Sequence, residues 1–268
     1  MSDNSFDTTV KKSKNRSRKS AALAFVCIFL IAVLGLYFCT SKLFFVKKIV
    51  VKNVSADEKD TSVPYTSEEM LSGLGINIGD GLYSFNKKDA QNSAKYNLPY
   101  IKEIKISRRW PSTLVAKAEL EKAAFYMSVS DELYILSDGL KVLEKTTDAE
   151  KIEMGALMLL KTGKVDNCIV GEMLGIDSDL AAIISELTAI LEENSILNKV
   201  EFIDVSDKFD ISLMYESRFE ILLGDSKNLK SKIEFMKRII DDRGDATSGG
   251  TIDVSDEESR EAVYKKFG

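Results

Sequence analysis

Apolar residues fall along this chain in one solid block and then in short periodic stretches. Ala21–Phe38 (AALAFVCIFLIAVLGLYF) carries no charge over eighteen residues. As an α-helix it would be about 27 Å long, close to the hydrocarbon thickness of a bilayer. A helix pairs its own backbone polar groups, so such a block can stand in lipid. The pattern predicts a transmembrane helix over 21–39, preceded by a polar, basic tail at 1–20 that lacks the apolar residues needed to fold.

Residues 43–123 carry strand and helix periods in a compact order. Phe45–Val54 is rich in Val and Ile and reads as a strand. Thr66-Ser-Glu-Glu69 has capping-box spacing and opens a short helix that Gly73 and Gly75 close. Asn86 caps a second helix, Lys87–Asn97, which Pro99 ends. Ile101, Ile104 and Ile106 lie in a strand ending at Arg108. After the turn Arg109–Thr113, Leu114–Glu121 alternates apolar and polar residues. The order strand, helix, helix, strand, strand predicts a small sheet with two helices on one face.

Residues 124–268 predict a second α+β unit, a mixed sheet with two helices. Leu133–Leu136 and Lys141–Leu143 flank the turn Ser137-Asp138-Gly139 as a β-hairpin. A helix over Asp179–Glu193 places Leu180, Ile183, Ile184, Leu187, Ile190 and Leu191 on one face. Strands follow at Lys199–Val205, Asp210–Tyr215 and Arg218–Leu223. A helix over Lys227–Asp241 buries Leu229, Ile233, Met236 and Ile240. The chain closes with Thr251–Val254 and Ala262–Tyr264 as strands.

Charge orients the chain and narrows its chemistry. Lys11, Lys12, Lys14, Arg16, Arg18 and Lys19 precede the apolar block, against Lys42, Lys47 and Lys48 after it. The positive-inside rule keeps the N-terminus in the cytoplasm and puts residues 43–268 outside. A cleaved signal peptide has a shorter core and small residues at its cleavage site, whereas Leu36-Tyr37-Phe38-Cys39 is bulky, which also argues against lipidation of Cys39. The outside portion carries about −10, which disfavours nucleic acid as a partner. Cys168 is its single cysteine, so no internal disulfide forms there. The chain has no histidine, which removes His-based triads and leaves zinc no imidazole ligand. No catalytic residue, metal site or cofactor site is expected. Ser84-x-x-Lys87, Ser137-Asp138-Gly139 and Lys161-Thr162-Gly163 imitate the motifs of penicillin-interacting serine enzymes, but the last two stand too close for an intervening helical domain.

Specific segments carry a family resemblance. VKKIVVKNV, LGINIGDGLYSF and LPYIKEIKISRRWPSTLVAKAELE, with Gly75-Ile76, Gly79, Leu82, Pro99-Tyr100-Ile101 and Arg108–Leu114, resemble the POTRA domain of the FtsQ/DivIB cell-division proteins. Where the family has Glu-Arg-x-Pro after its last strand, this chain has Leu120-Glu121-Lys122-Ala123, so the contacts of that doublet do not transfer. Gly171-x-x-Leu174, Leu223-Gly224 and Thr251-Ile-Asp-Val254 extend the resemblance into the second unit. It implies four parts: a cytoplasmic tail at 1–20, a membrane helix at 21–39, a POTRA domain at 43–123 and a partner-binding α+β domain at 124–268. The implied function is that of a bitopic divisome scaffold at the septum. It would bind FtsB/DivIC-like and FtsL-like proteins and serve the septal wall synthesis machinery indirectly. The resemblance also implies that the last strands offer a sheet edge to a partner strand, which makes Ile252, Val254, Val263 and Tyr264 the candidate contact residues. By alternation Ile252 and Val254 share one face, the core side, which leaves Tyr264 as the better contact. An exported POTRA-type chaperone or translocation module is the alternative; it would call for repeated POTRA units or a barrel.

Overall fold

The computed structural model describes residues 23–37, 44–54, 63–147, 152, 156–243, 249–256 and 263–266. Residues 23–37 form a helix, α1, with exposed side chains, about 22 Å long. The remainder of the expected span, like the basic tail, lies outside the described residues. Among the described residues no helix is long and apolar enough to cross a membrane.

The first unit is a three-stranded sheet in the order β1-β3-β2, formed by β1 (Lys48–Asn53), β2 (Ile101–Arg109) and β3 (Thr113–Leu120). β1 runs parallel to β3, and β2 antiparallel to it. Helices α2 (Ser67–Gly73) and α3 (Lys87–Asn97) pack on this sheet. The capping box forms as the spacing predicts: Glu69 N donates to Thr66 Oγ1 at 3.2 Å and Thr66 N to Glu69 Oε2 at 2.7 Å. Asn86 Oδ1 accepts from Lys88 N at 3.0 Å and opens α3. Gly73, at the end of α2, lets Leu98 at the end of α3 pack close, since a Cβ there would lie 2.5 Å from Leu98 Cγ. Ile101, Ile104, Ile106, Leu114, Ala116 and Ala118 turn inward onto Met70, Leu71, Ala90 and Ala94 of the helices. Each fully buried large aliphatic side chain stabilises the unit by about 1.5–3 kcal/mol.

The second unit is a nine-stranded mixed sheet. Its strands are β4 (Ala123–Val129), β5 (Glu132–Ser137), β6 (Val142–Thr146), β7 (Met158–Thr162), β8 (Val200–Val205), β9 (Ile211–Tyr215), β10 (Phe219–Gly224), β11 (Gly250–Asp253) and β12 (Val263–Lys266). Their order is β12-β11-β10-β9-β8-β7-β4-β5-β6. Two helices, α4 (Ser178–Glu193) and α5 (Leu229–Arg243), pack on one face. The buried stripe of α4 is the predicted set: Leu180, Ile183, Ile184, Leu187, Ile190 and Leu191. In α5, Leu229, Ile233 and Met236 are fully buried, while Ile240 is half-buried.

Register shows why the helix-covered face holds together. Leu160, Ile203, Leu213, Ile221 and Ile252 are successive partners across β7, β8, β9, β10 and β11, and all five are buried. The predicted hairpin, β5–β6, is present and forms the end of the sheet opposite β12; two strands absent from the sequence-based expectation, β4 and β7, join it to the rest. β7 pairs in parallel with both β4 and β8.

Candidate partner-binding edge and the domain junction

β12 ends the sheet, and its one partner among the described residues is β11. The platform beneath it is built from sequence upward. β10 leads through α5 into β11, a crossover that lays β11 parallel to β10. Gly250 N donates to Arg218 O at 2.9 Å and Val254 N to Leu222 O at 3.0 Å, which pins both ends of β11. Two glycines permit this approach: a Cβ at Gly249 would lie 2.3 Å from Arg218 O, and one at Gly224 would lie 2.7 Å from Ser255 Cβ. Gly224 also holds φ +67, a left-handed conformation that suits glycine. At the start of α5, Lys232 is 3% exposed and donates to Asp225 O at 2.9 Å and Asp225 Oδ1 at 3.0 Å. The hydrogen bond from Lys232 holds the Asp225 carboxyl below the usual aspartate range.

The four sequence-predicted contact residues divide between two positions. Ile252 and Val254 are buried in the main core, as their alternation indicated. Val263 and Tyr264 lie on β12, registered with Asp253 and Ile252 respectively. The two core residues therefore anchor the platform, and the outer backbone of β12 is the edge. Glu257, Glu258 and Arg260, between β11 and β12, lie outside the described residues.

Sequence patterning did not reveal the joint between the two units. Lys141 precedes β6 and reaches back to the first unit. Its Nζ lies 3.8 Å from Glu121 Oε1 and donates to Ile101 O at 3.2 Å. Burial pushes the Lys141 pKa down, against the attraction of Glu121. Tyr100 Oη donates to Glu144 Oε2 at 2.9 Å, and burial together with that carboxylate pushes its phenol pKa up. Tyr100 N in turn donates to Tyr65 Oη at 2.9 Å. Gly171, at φ +95, lets the loop before α4 pass against Tyr96 O, where a Cβ would stand at 3.0 Å. The doublet that departs from the family pattern thus has a role here, because Glu121 faces Lys141 across the joint.

The enzyme-like motifs are engaged locally. Ser84 Oγ donates to Gly81 O at 2.8 Å within a loop of the first unit. Ser137 Oγ accepts from Lys141 N at 3.1 Å, and Lys161 Nζ sits 3.8 Å from the Phe202 ring centroid. No group of three or more metal-ligating side chains occurs among the described residues. A cavity of about 450 Å³ lies between the start of β4 and the end of α4, lined by Phe125, Met158, Thr188 and Glu192 among others.

Comparison with known proteins agrees with this architecture. Residues 61–117 match the family described as POTRA domain, FtsQ-type, which covers both POTRA helices, β2 and most of β3. A cell division protein DivIB of Clostridium botulinum is 27% identical over 92% of this chain and 91% of its own length. A cell division protein FtsQ of Corynebacterium glutamicum is 24% identical over 82% of this chain and 89% of that protein. A DivIB of Clostridium acetobutylicum is 20% identical over 70% of this chain. The chain is a homologue of the DivIB/FtsQ cell division proteins, built on an FtsQ-type POTRA domain.

Proposed function

We propose that this protein is a single-pass scaffold of the division septum. In this reading its N-terminus is cytoplasmic, residues 21–39 are its membrane anchor, and both folded units stand outside. The DivIB/FtsQ proteins are non-enzymatic, so its mechanism is binding. An FtsB/DivIC-like protein, accompanied by an FtsL-like one, adds a strand to β12. Its backbone groups supply affinity, and Val263 and Tyr264 supply selectivity. The observation that carries this is the position of β12 at the end of the sheet on a platform locked by Ile252 and Val254.

The test is titration of the full chain in lipid nanodiscs with the outside part of the FtsB/DivIC-like protein from the same organism. A second form ends before Val263, which leaves Ile252 and Val254 in the core. Loss of binding with unchanged circular dichroism supports strand addition. Undiminished binding moves the contact away from the edge.

A further inference from the structure

Phe44, Tyr83 and Trp110 form an aromatic cluster at the end of the POTRA domain where the chain enters from the apolar block. The Phe44 and Trp110 ring centroids are 4.5 Å apart, those of Phe44 and Tyr83 6.2 Å, and Trp110 Nε1 donates to Tyr83 Oη at 3.0 Å. Two of the rings face solvent, with Trp110 69% exposed and Tyr83 59%, while Phe44 is half-buried and packs against the core beneath them. Ile78, 63% exposed, sits on the neighbouring loop, which Gly79 N ties to Val46 O at 2.9 Å. Leu82 N donates to Phe44 O and Lys47 N to Ser112 O, so both aromatic loops clasp the segment leading into β1.

Charge and tether length point to one occupant. The outside portion is acidic as a whole, yet this end carries exposed Lys47, Lys48 and Arg109, with the Arg108 guanidinium 5.0 Å from the Tyr83 ring centroid. Asp80, the acid of the same loop, already accepts from Asn77 N at 2.7 Å. Five residues, 39–43, separate Phe44 from the apolar block. Even fully extended they hold the cluster within about 21 Å of the end of that block. Trp and Tyr with a polar atom at the ring edge, beside basic side chains, suit the headgroup layer of a bilayer.

We propose that Trp110, Tyr83, Phe44 and Ile78 form a lipid-contacting face that seats the POTRA domain in the headgroup layer of an anionic membrane. The proposal rests on the reading of residues 21–39 as an inserted anchor. The face would fix the stance of the POTRA domain relative to the lipid.

Trp110 is the chain's one tryptophan, so its emission reports on this face alone. The full chain is reconstituted in phosphatidylcholine–phosphatidylglycerol vesicles, with bromine placed either near the headgroup end of the acyl chains or near their terminal methyl. The expected result is loss of Trp110 emission to shallow bromine more than to deep bromine. Ile78→Asp should diminish that loss while flotation with the vesicles persists. If the chain floats with the vesicles but its emission is unaffected by either bromine, the lipid face is overturned and the anchor stands. If the chain fails to float, the anchor reading fails first and takes this proposal with it. Emission shielded from acrylamide yet untouched by bromine would mean that protein, a second copy or another chain, covers the face, which also overturns it.

Discussion

Replacing Lys141 by Met separates charge from bulk at the joint between the two units. The ammonium stands 3.8 Å from Glu121 Oε1, and each side chain is 12% exposed. At an effective dielectric constant of about 20, unit charges at this distance attract by roughly 4 kcal/mol. Desolvation opposes that attraction and prevails, since the Lys141 pKa is pushed down rather than up. The pair therefore contributes little net stability, while stranding one partner is costly. Lys141→Met keeps most of the apolar stem but leaves the largely enclosed Glu121 without its cation and removes the donor to Ile101 O. Breaking a buried pair costs about 3–5 kcal/mol, and with some solvent access about 3 kcal/mol is expected here. Glu121→Gln leaves the lysine its carbonyl partner and should cost about 1 kcal/mol. The double variant Lys141→Met/Glu121→Gln should be more stable than Lys141→Met alone, because the stranded charge is gone. Urea unfolding of the full chain in mild detergent, followed by far-UV circular dichroism, measures all four corners of the cycle. If the double variant loses the sum of the two single losses, the side chains act independently and the joint is not held in this way.

Other positions give shorter tests by the same unfolding assay. Ile252→Ala removes the last buried partner in the row from Leu160 and should cost about 3 kcal/mol, weakening partner binding because the platform under β12 loosens. Gly224→Ala should cost at least about 1 kcal/mol, since its φ of +67 disfavours any Cβ and that Cβ would press on Ser255. Asp225 and Glu216 have carboxyl pKa values lowered by hydrogen bonds from Lys232 and from Lys199 with Arg218 respectively. Their folded-state values thus lie below the ordinary 3.8 and 4.5, so their contribution is complete above those values and is lost as pH falls through the folded ones. The urea midpoint should accordingly drop between neutral pH and about pH 3, and Asp225→Asn should flatten part of that drop.

Elements with a strong period or a local cap were legible in the sequence, and those defined by long-range pairing were not. The six buried residues of α4 recur at helical spacing, and the capping box of α2 is a four-residue local signal. β7, by contrast, is MLLKT, a short apolar run that suits a helix or a strand equally until its neighbours are known. It is a strand because β4 and β8 flank it in parallel on either side. β4 escaped for a related reason: alternate residues Phe125 and Met127 are buried while Ala124 and Tyr126 are half-buried, so its two faces differ too little to show a clean period. At the candidate edge, alternation assigned Ile252 and Val254 to the core, and both are buried there. The junction pair was invisible because Lys141 and Glu121 lie twenty residues apart in chain regions that read as separate units.

The joint also bears on how a scaffold of this shape transmits position. On the proposed reading, strand addition at β12 would fix a partner relative to the nine-stranded sheet, and the aromatic face would fix the POTRA domain relative to the lipid. Neither constraint would locate the partner with respect to the membrane if the two units turned freely about residues 121 and 122. The contacts at the joint oppose that turning by their placement more than by their strength. Tyr100–Glu144, Lys141–Ile101 O and the close passage of Gly171 over Tyr96 O arise from two stretches of the second unit, 141–144 and the loop at 171, and bear on residues 96–101 of the first. Rotation about the connector therefore has to break them together, even though each bond alone contributes only about 1–3 kcal/mol. A side chain at Gly171 would enter this passage at 3.0 Å from the Tyr96 carbonyl while both ends of the scaffold stayed intact. Gly171→Val should accordingly leave partner affinity and Trp110 quenching unchanged but broaden the distance between spin labels placed on the two units. A distance distribution as narrow as that of the unsubstituted chain would show that the joint does not set the stance.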